Sequence, residues 1–130
     1  MTSRGMTQAA FFVLTALVDE PRHGYGIVQE VDELSEGHVQ LRIGTLYGVL
    51  DRLTADGLIE PDREEVQQGR LRKYYRLTDA GGAALSAEAE RMAAGARAAT
   101  QRIAAHRPTP AGPAPASRSA RRPGIAGGTA

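Results

Sequence analysis

A chain of 130 residues with 42% hydrophobic content has room for one small domain with a packed core, and not for two of ordinary size. No apolar run approaches the roughly 20 residues of a membrane helix, no basic-then-apolar leader opens the chain and there is no cysteine, so a cytoplasmic protein without a membrane span, disulfide framework or thiolate metal site is expected. The net charge of +1 hides an asymmetry that excludes a general polyanion binder: residues 1–60 hold four basic residues against nine acidic ones, while positive charge collects in GRLRKYYR (Arg70, Arg72, Lys73, Arg76) and in the tail (Arg107, Arg118, Arg121, Arg122).

Thr7 to Val18, TQAAFFVLTALV, is apolar nearly all round and predicts a buried first helix, ended by DEPR with Pro21 as the breaker. A helix without a polar face needs cover on several sides, which points to a partner chain. HGYGIVQEVDELSEG follows, with Tyr25, Ile27, Val28, Val31 and Leu34 in an apolar stripe and Gly37 as its stop. After HVQLR comes IGTLYGVLDRLTADGLIE, whose apolar positions Leu46, Val49, Leu50 and Leu53 keep the i, i+3, i+4, i+7 spacing of one helical stripe. Its opposite face carries Gly44, Tyr47, Gly48, Asp51 and Ala55, with Thr45 and Arg52 on the flanks. Two exposed glycines cost a helix about 1 kcal/mol each against alanine, so a face kept this small implies a close approach to something else. Gly57 ends the helix.

From Leu58 the period changes from 3.6 to 2. LIEPDREE and LRKYYRLT are extended runs separated by VQQG, where Gly69 suits a turn, and they predict a two-stranded hairpin with a basic, exposed tip. Alternation along the second strand puts one of Tyr74 and Tyr75 in the core and leaves the other half exposed. Thr78 caps a last helix beginning at DAGGAAL, along which Leu85, Ala89, Met92, Ala96, Ala99 and Ile103 fall four and three residues apart, a heptad seam that alanine keeps thin. The remainder, HRPTPAGPAPASRSARRPGIAGGTA, is rich in Pro, Gly, Ala and Ser and is expected to be disordered.

The expected fold is mainly α: a winged helix-turn-helix of three helices plus a two-stranded β wing over residues 1–78, a long C-terminal dimerisation helix over 79–105, and a tail over 106–130. A recognition helix must enter a major groove about 12 Å wide, and small residues let its backbone come near the base edges.

Four blocks together resemble the PadR family of transcriptional regulators in its short form: VLTALVDEPRHGYGI, GTLYGVLDRLTADGLI, GRLRKYYRLTDAG and the long helix after them. The resemblance implies a homodimeric repressor reading an inverted repeat in double-stranded DNA, its half-sites about 34–36 Å apart. It implies a dimer interface built from the first helix (Phe11, Leu14) and the seam of the last. The family's DNA contacts carry over to Thr45, Tyr47, Tyr25, Arg70, Arg72 and Lys73, with Arg52 on the flank of the same helix.

Several positions depart from the family's pattern or have a second reading. Gly48 stands where many relatives have proline, and Asp51 where a basic or neutral residue is common. Asp51 either accepts a hydrogen bond from a cytosine amino group or marks a place where the helix stands off the DNA. Arg42 occupies a position where a small polar cap is usual and is placed for phosphate. Tyr25 either contacts DNA or packs under the hairpin. Some relatives hold flat aromatic effectors between their subunits; Met92 stands near the aromatic position and there is no tryptophan, so a small-molecule effector here would bind without that stacking.

His23, His38 and His106 are too scattered for a metal site and read as turn or surface residues, Gly24 and Gly26 lack the context of a phosphate loop, and no Ser, His and acid set stands out. No metal, cofactor or catalysis is expected. The alternative function is a winged-helix protein-interaction module without specific DNA binding, which Asp51 and the acidic first half favour.

Overall fold

Seven elements follow one another in the computed structural model, which describes residues 5–107: α1 (Gln8–Ala16), β1 (Arg22–His23), α2 (Gly24–Leu34), α3 (Ile43–Ala55), β2 (Ile59–Gln67), β3 (Arg70–Leu77) and α4 (Asp79–Ala105). The chain divides into two units between Met92 and Ala93, within α4. The tail expected from residue 106 lies outside the described residues from 108 onward.

Local chemistry sets the ends of the helices. Thr7 caps α1, its hydroxyl accepting the Ala10 N–H at 3.0 Å. α2 ends in a paired reverse turn in which the Gly37 N–H reaches Asp32 O at 2.8 Å and the Glu36 N–H reaches Glu33 O at 3.1 Å. The left-handed residue that glycine usually supplies is here Glu36, at φ 53°, with Gly37 next at φ 82°. α3 ends the same way, with Gly57 at φ 75° and the Leu58 N–H donating to Leu53 O at 3.0 Å. Between the two helices Ser35 is buried, and its hydroxyl accepts the Val39 N–H at 2.9 Å, which sets the turn of the helix-turn-helix.

The sheet is three-stranded and antiparallel in the order β1-β3-β2. The hairpin between β2 and β3 closes through Gln68 and Gly69 alone, both left-handed at φ 51° and 77°, a geometry that matches the twist of the strands. The turn is therefore two residues, shorter than the four of VQQG. A bulge lies between Pro61 and Glu64 of β2. β1, two residues long, pairs Arg22 with Tyr75 and His23 with Tyr74, so the wing carries a third strand beyond the two expected.

That third strand corrects the reading of the tyrosine pair. Both Tyr74 and Tyr75 are buried: Tyr75 joins the main core, while Tyr74 on the other face lies under Arg63, whose guanidinium sits 4.0 Å from its ring centroid, with His23 edge-on at 5.2 Å. The core unites Val13, Leu14, Ile27, Val31, Leu46, Leu50, Leu53, Ile59, Tyr75 and Leu85. Each such side chain stabilises the fold by about 1.5–3 kcal/mol when fully removed from water.

Two further expectations change. The apolar stripe of α2 is narrower than five residues, because Tyr25 and Leu34 stand 46% and 42% exposed while Ile27 and Val31 carry the burial. Leu14, expected at a subunit interface, has no exposed surface and belongs to the chain's own core, as does the largely covered Leu85. An α1 that is apolar on every side gives no signal of which side turns inward. Phe11 is the residue of that pair left partly open, its ring edge-on to Phe12 at 5.3 Å.

α4 begins where Thr78 accepts the Gly81 N–H at 3.0 Å and donates its own hydroxyl to Gly57 O at 2.7 Å. Gly81 packs directly on the backbone of Leu58: a Cβ there would stand 2.0 Å from Leu58 O. From Ala89 onward α4 is exposed, Met92 and Ile103 included. No described helix is long and apolar enough to cross a membrane.

Candidate nucleic-acid interface

α3 buries Leu46, Leu50 and Leu53 against the core, which fixes what it presents outward: Gly44, Thr45, Tyr47, Gly48, Asp51 and Arg52, all exposed. Among the described residues, nothing outside α3's own backbone lies within 4 Å of where a Cβ would project from Gly44 or Gly48. The small residues are thus not required by packing inside the chain, and they leave the α3 backbone open to an incoming surface.

Tyr47 is held rather than loose. Its ring lies over the N-terminus of α2, where a Cβ added at Gly24 would meet Tyr47 Oη at 2.9 Å and Cζ at 3.3 Å. Gly24 is buried beneath it. The HGYG and GTLY motifs are therefore two halves of one contact, in which a residue without a side chain lets the phenol come close, with 42% of the surface of Tyr47 still open. Sequence reading misses Gly24; its signal is only the pairing of the two glycine-containing motifs.

Arg42 takes the N-cap position of α3 with extended backbone angles and makes no capping hydrogen bond. Among the described residues the first-turn amides of α3 therefore have no capping side chain, and an arginine stands beside them, a combination suited to an anion.

The wing sorts its charges into spent and free. Arg76 is paired with Glu60 at 2.8 Å and Asp62 at 3.1 Å, and Arg63 with Glu65 at 2.6 Å and Asp62 at 3.0 Å. These contacts hold Glu65 below and the two arginines above their ordinary pKa, first through the Arg63–Glu65 and Arg76–Glu60 hydrogen bonds. Arg22 is likewise held, its Nε donating to Ala16 O at 2.8 Å and its guanidinium facing Asp19, Glu20 and Glu30. Among the described residues, Arg42, Arg52, Arg70, Arg72 and Lys73 make no salt bridge. Arg76, grouped with the basic stretch by sequence, drops out of it.

Arg72 stands 5.0 Å above the Tyr25 ring, and its buried Nε has no partner among the described residues. The two readings of Tyr25 meet here: it lies beside the hairpin and is also open. Lys73 has its ammonium 5.7 Å from the Tyr75 ring centroid. Burial pushes the Tyr75 hydroxyl up, with Tyr47 and Asp51 nearby adding to the effect, so it stays protonated at neutral pH. Asp51 sits one helical turn beyond Tyr47, exposed and unpaired among the described residues.

His23 closes the assembly. Its Nδ1 accepts the Gly26 N–H at 3.3 Å and caps α2, and its pKa is lowered, mainly by burial and then by Arg72, against an opposing effect of Glu65. A neutral imidazole is what the cap requires, since a protonated ring has no lone pair to accept with. The sequence reading of His23 as a turn or surface residue misses this role. Among the described residues no group of three His, Cys, Asp or Glu could hold a metal ion.

Comparison with known proteins adds independent information. The model of the transcriptional regulator PadR-like family matches residues 13–87. A transcriptional regulator of Mycobacterium tuberculosis is 42% identical over 74 residues, which span 57% of this chain and 65% of that one. Among solved structures, a PadR family transcription regulator of Clostridium difficile shares the fold at a TM-score of 0.65 and 24% identity, over 75% of this chain and 99% of that one. Bacillus subtilis PadR in complex with operator DNA aligns at a TM-score of 0.52 and 27% identity, over 59% of this chain and 44% of that one.

Proposed function

The chain belongs to the PadR-like family of transcriptional regulators, and on that premise we propose that it is a sequence-specific DNA-binding repressor that acts as a homodimer. The observation that carries the reading is the outer face of α3: glycines with empty space around them, a phenol seated on Gly24, and unpaired cations at Arg42 and Arg52 beside it and at Arg70, Arg72 and Lys73 on the wing. Thr45 and Tyr47 hydroxyls are suited to phosphate oxygens and fix register, while sequence is read by what the open backbone admits, Asp51 among it. The B. subtilis relative is solved with operator DNA, which supports DNA as the partner of this face.

The dimer is built on α4 and the open side of α1. Ala89, Met92, Ala96, Ala99 and Ile103 are exposed at heptad spacing, with Met92 46% and Ile103 63% open, a surface that a second copy of the helix would cover. Phe11 adds to it. A signal, such as a small molecule, releases the operator by altering the angle between the two recognition helices, because a two-fold complex tolerates little misfit at half-site separation.

Selection of duplexes from a random-sequence pool, followed by titration of the recovered duplex against a scramble, tests this. An inverted repeat bound about a thousandfold more tightly than the scramble supports the reading; equal, weak binding to both shifts the function to protein recognition, the alternative that Asp51 favours.

A further inference from the structure

The middle of the outer face of α3 is nearly bare. Spacings of four, three and four residues put Gly44, Gly48, Asp51 and Ala55 in one strip opposite the buried Leu46, Leu50 and Leu53, and all four are exposed. Asp51 is the only member of the strip with a polar side chain. Longer residues lie at its edges: Tyr47 rests on Gly24 of α2, while Thr45 and Arg52 line a groove with Ala84, Ala87 and Arg91 of α4. Asp51 borders the other side, where it and Tyr47 lie near the Tyr75 hydroxyl. Among the described residues its carboxylate makes no salt bridge, although Arg52 follows it in sequence and Lys73 stands against the Tyr75 ring. Successive residues of a helix point about 100° apart, which keeps Arg52 from turning onto it.

An unpaired carboxylate in the middle of a face open to DNA carries a definite cost, and only some base edges relieve it. Phosphates along the major groove repel it. The glycines at 44 and 48 let the backbone come close, so that this short side chain is the polar group nearest the bases. Guanine and thymine offer only acceptors in that groove, which repel it further. Two donors are present there, cytosine N4–H and adenine N6–H. Adenine sets the N7 lone pair beside its donor, facing the second carboxylate oxygen, whereas cytosine sets a C5–H there.

We propose that Asp51 is a specificity-determining residue that selects a cytosine in each half-site, accepting a hydrogen bond from its N4 and penalising the other three bases by repulsion. This rests on the DNA-binding reading and assigns to the acid of the strip a role opposite to that of the arginines: it lowers affinity for every sequence, and least for one. Two-fold symmetry would put the two cytosines on opposite strands at equal distances from the dyad.

Random-pool selection with the full chain, as parent, Asp51→Asn and Asp51→Ala, tests the proposal. The parent should recover an inverted repeat with one fixed cytosine in each half, and replacing that cytosine should weaken binding about tenfold or more. Asparagine, whose amide both donates and accepts, should move the preference at that position to adenine, and alanine should leave the position without preference while the others are kept. The alanine variant should also bind a scrambled duplex about threefold more tightly at low salt, because a repulsive charge is gone. The proposal is overturned if all three chains recover the same motif, which makes Asp51 a bystander standing off the DNA, or if the position that changes holds another base in the parent. Loss of every preference in both variants, at unchanged melting midpoints, also overturns it, since Asp51 would then support the whole face. A parent that enriches no duplex overturns the DNA-binding reading itself.

Discussion

Gly81 and Gly82 are neighbours in the first turn of α4, yet alanine at the two should act in opposite directions. Alanine improves an internal helical position by up to about 1 kcal/mol over glycine, and somewhat less in the first turn. At Gly82 a new Cβ meets only Leu77 Cδ2 at 3.8 Å, an ordinary contact, so Gly82→Ala should stabilise by about 0.5–1 kcal/mol. At Gly81 the Cβ would stand 2.0 Å from Leu58 O and 2.9 Å from both Leu58 C and Leu77 Cδ1. A carbon–oxygen approach is normally no closer than about 3.3 Å, so the helix must retreat by more than 1 Å.

The obstacle at Gly81 is backbone and cannot rotate away. Leu58 O also accepts the Thr78 N–H at 3.1 Å, so moving it loosens the joint between α3 and α4. Overpacking of this kind costs about 3 kcal/mol, leaving Gly81→Ala destabilised by about 2 kcal/mol after the helical gain. The two variants should differ by about 3 kcal/mol, on the order of 10–20 °C in melting midpoint for a domain of this size. Thermal unfolding followed by circular dichroism at matched protomer concentration measures it. A Gly81→Ala protein that melts at or above Gly82→Ala would refute the close packing of α4 on Leu58.

Gly24→Ala sets its Cβ against the far end of a flexible side chain, so the fold should hold within about 1 kcal/mol while Tyr47 is pushed off α2; operator affinity should fall about tenfold or more, as when one hydrogen bond to phosphate is removed, with the melting curve nearly unmoved. The folded-state pKa of His23 lies below its ordinary 6.5, so the unfolded chain binds the extra proton first. Its stabilising contribution is present above pH 6.5 and is lost as pH falls through the folded-state value. Urea midpoints between pH 7.5 and 5 should therefore drop in the parent and drop less in His23→Asn, which keeps the cap and does not titrate; parallel curves would remove His23 from the acid sensitivity. Ala96→Asp places a charge in the α4 seam and should raise the dimer dissociation constant by about a hundredfold, seen by sedimentation equilibrium, whereas an unchanged assembly would put the interface elsewhere.

Helical periodicity carries the reading of α3 because one stripe, Leu46, Leu50 and Leu53, has to be the inner one, and the burial follows it. α1 offers no such contrast, which is why its pattern allows Leu14 to face outward although it lies wholly inside. β1 is not readable at all: Arg22 and His23 become a strand only because β3 lies beside them, and two residues hold no period. With β1 unseen, Tyr74 lacks the neighbour His23 that covers it. Within the candidate interface, the exposed residues of GTLYG and the basic wing are legible as residue types at fixed spacing. Which arginines are free is not, since Arg76 is neutralised by Glu60 and Asp62 from the opposite strand. The contact between Gly24 and Tyr47 joins positions 23 residues apart, and only the packing of α2 on α3 brings them together.

The most direct test of the central claim is the salt dependence of DNA binding with the free wing cations removed. The parent chain and Arg70→Ala with Lys73→Ala should be titrated against the same selected duplex over a range of salt. If these cations neutralise phosphates, the double variant binds more weakly at low salt and its log–log slope is shallower by about two, close to 0.9 for each phosphate no longer neutralised. An unchanged slope and affinity would contradict the assignment of this face to DNA.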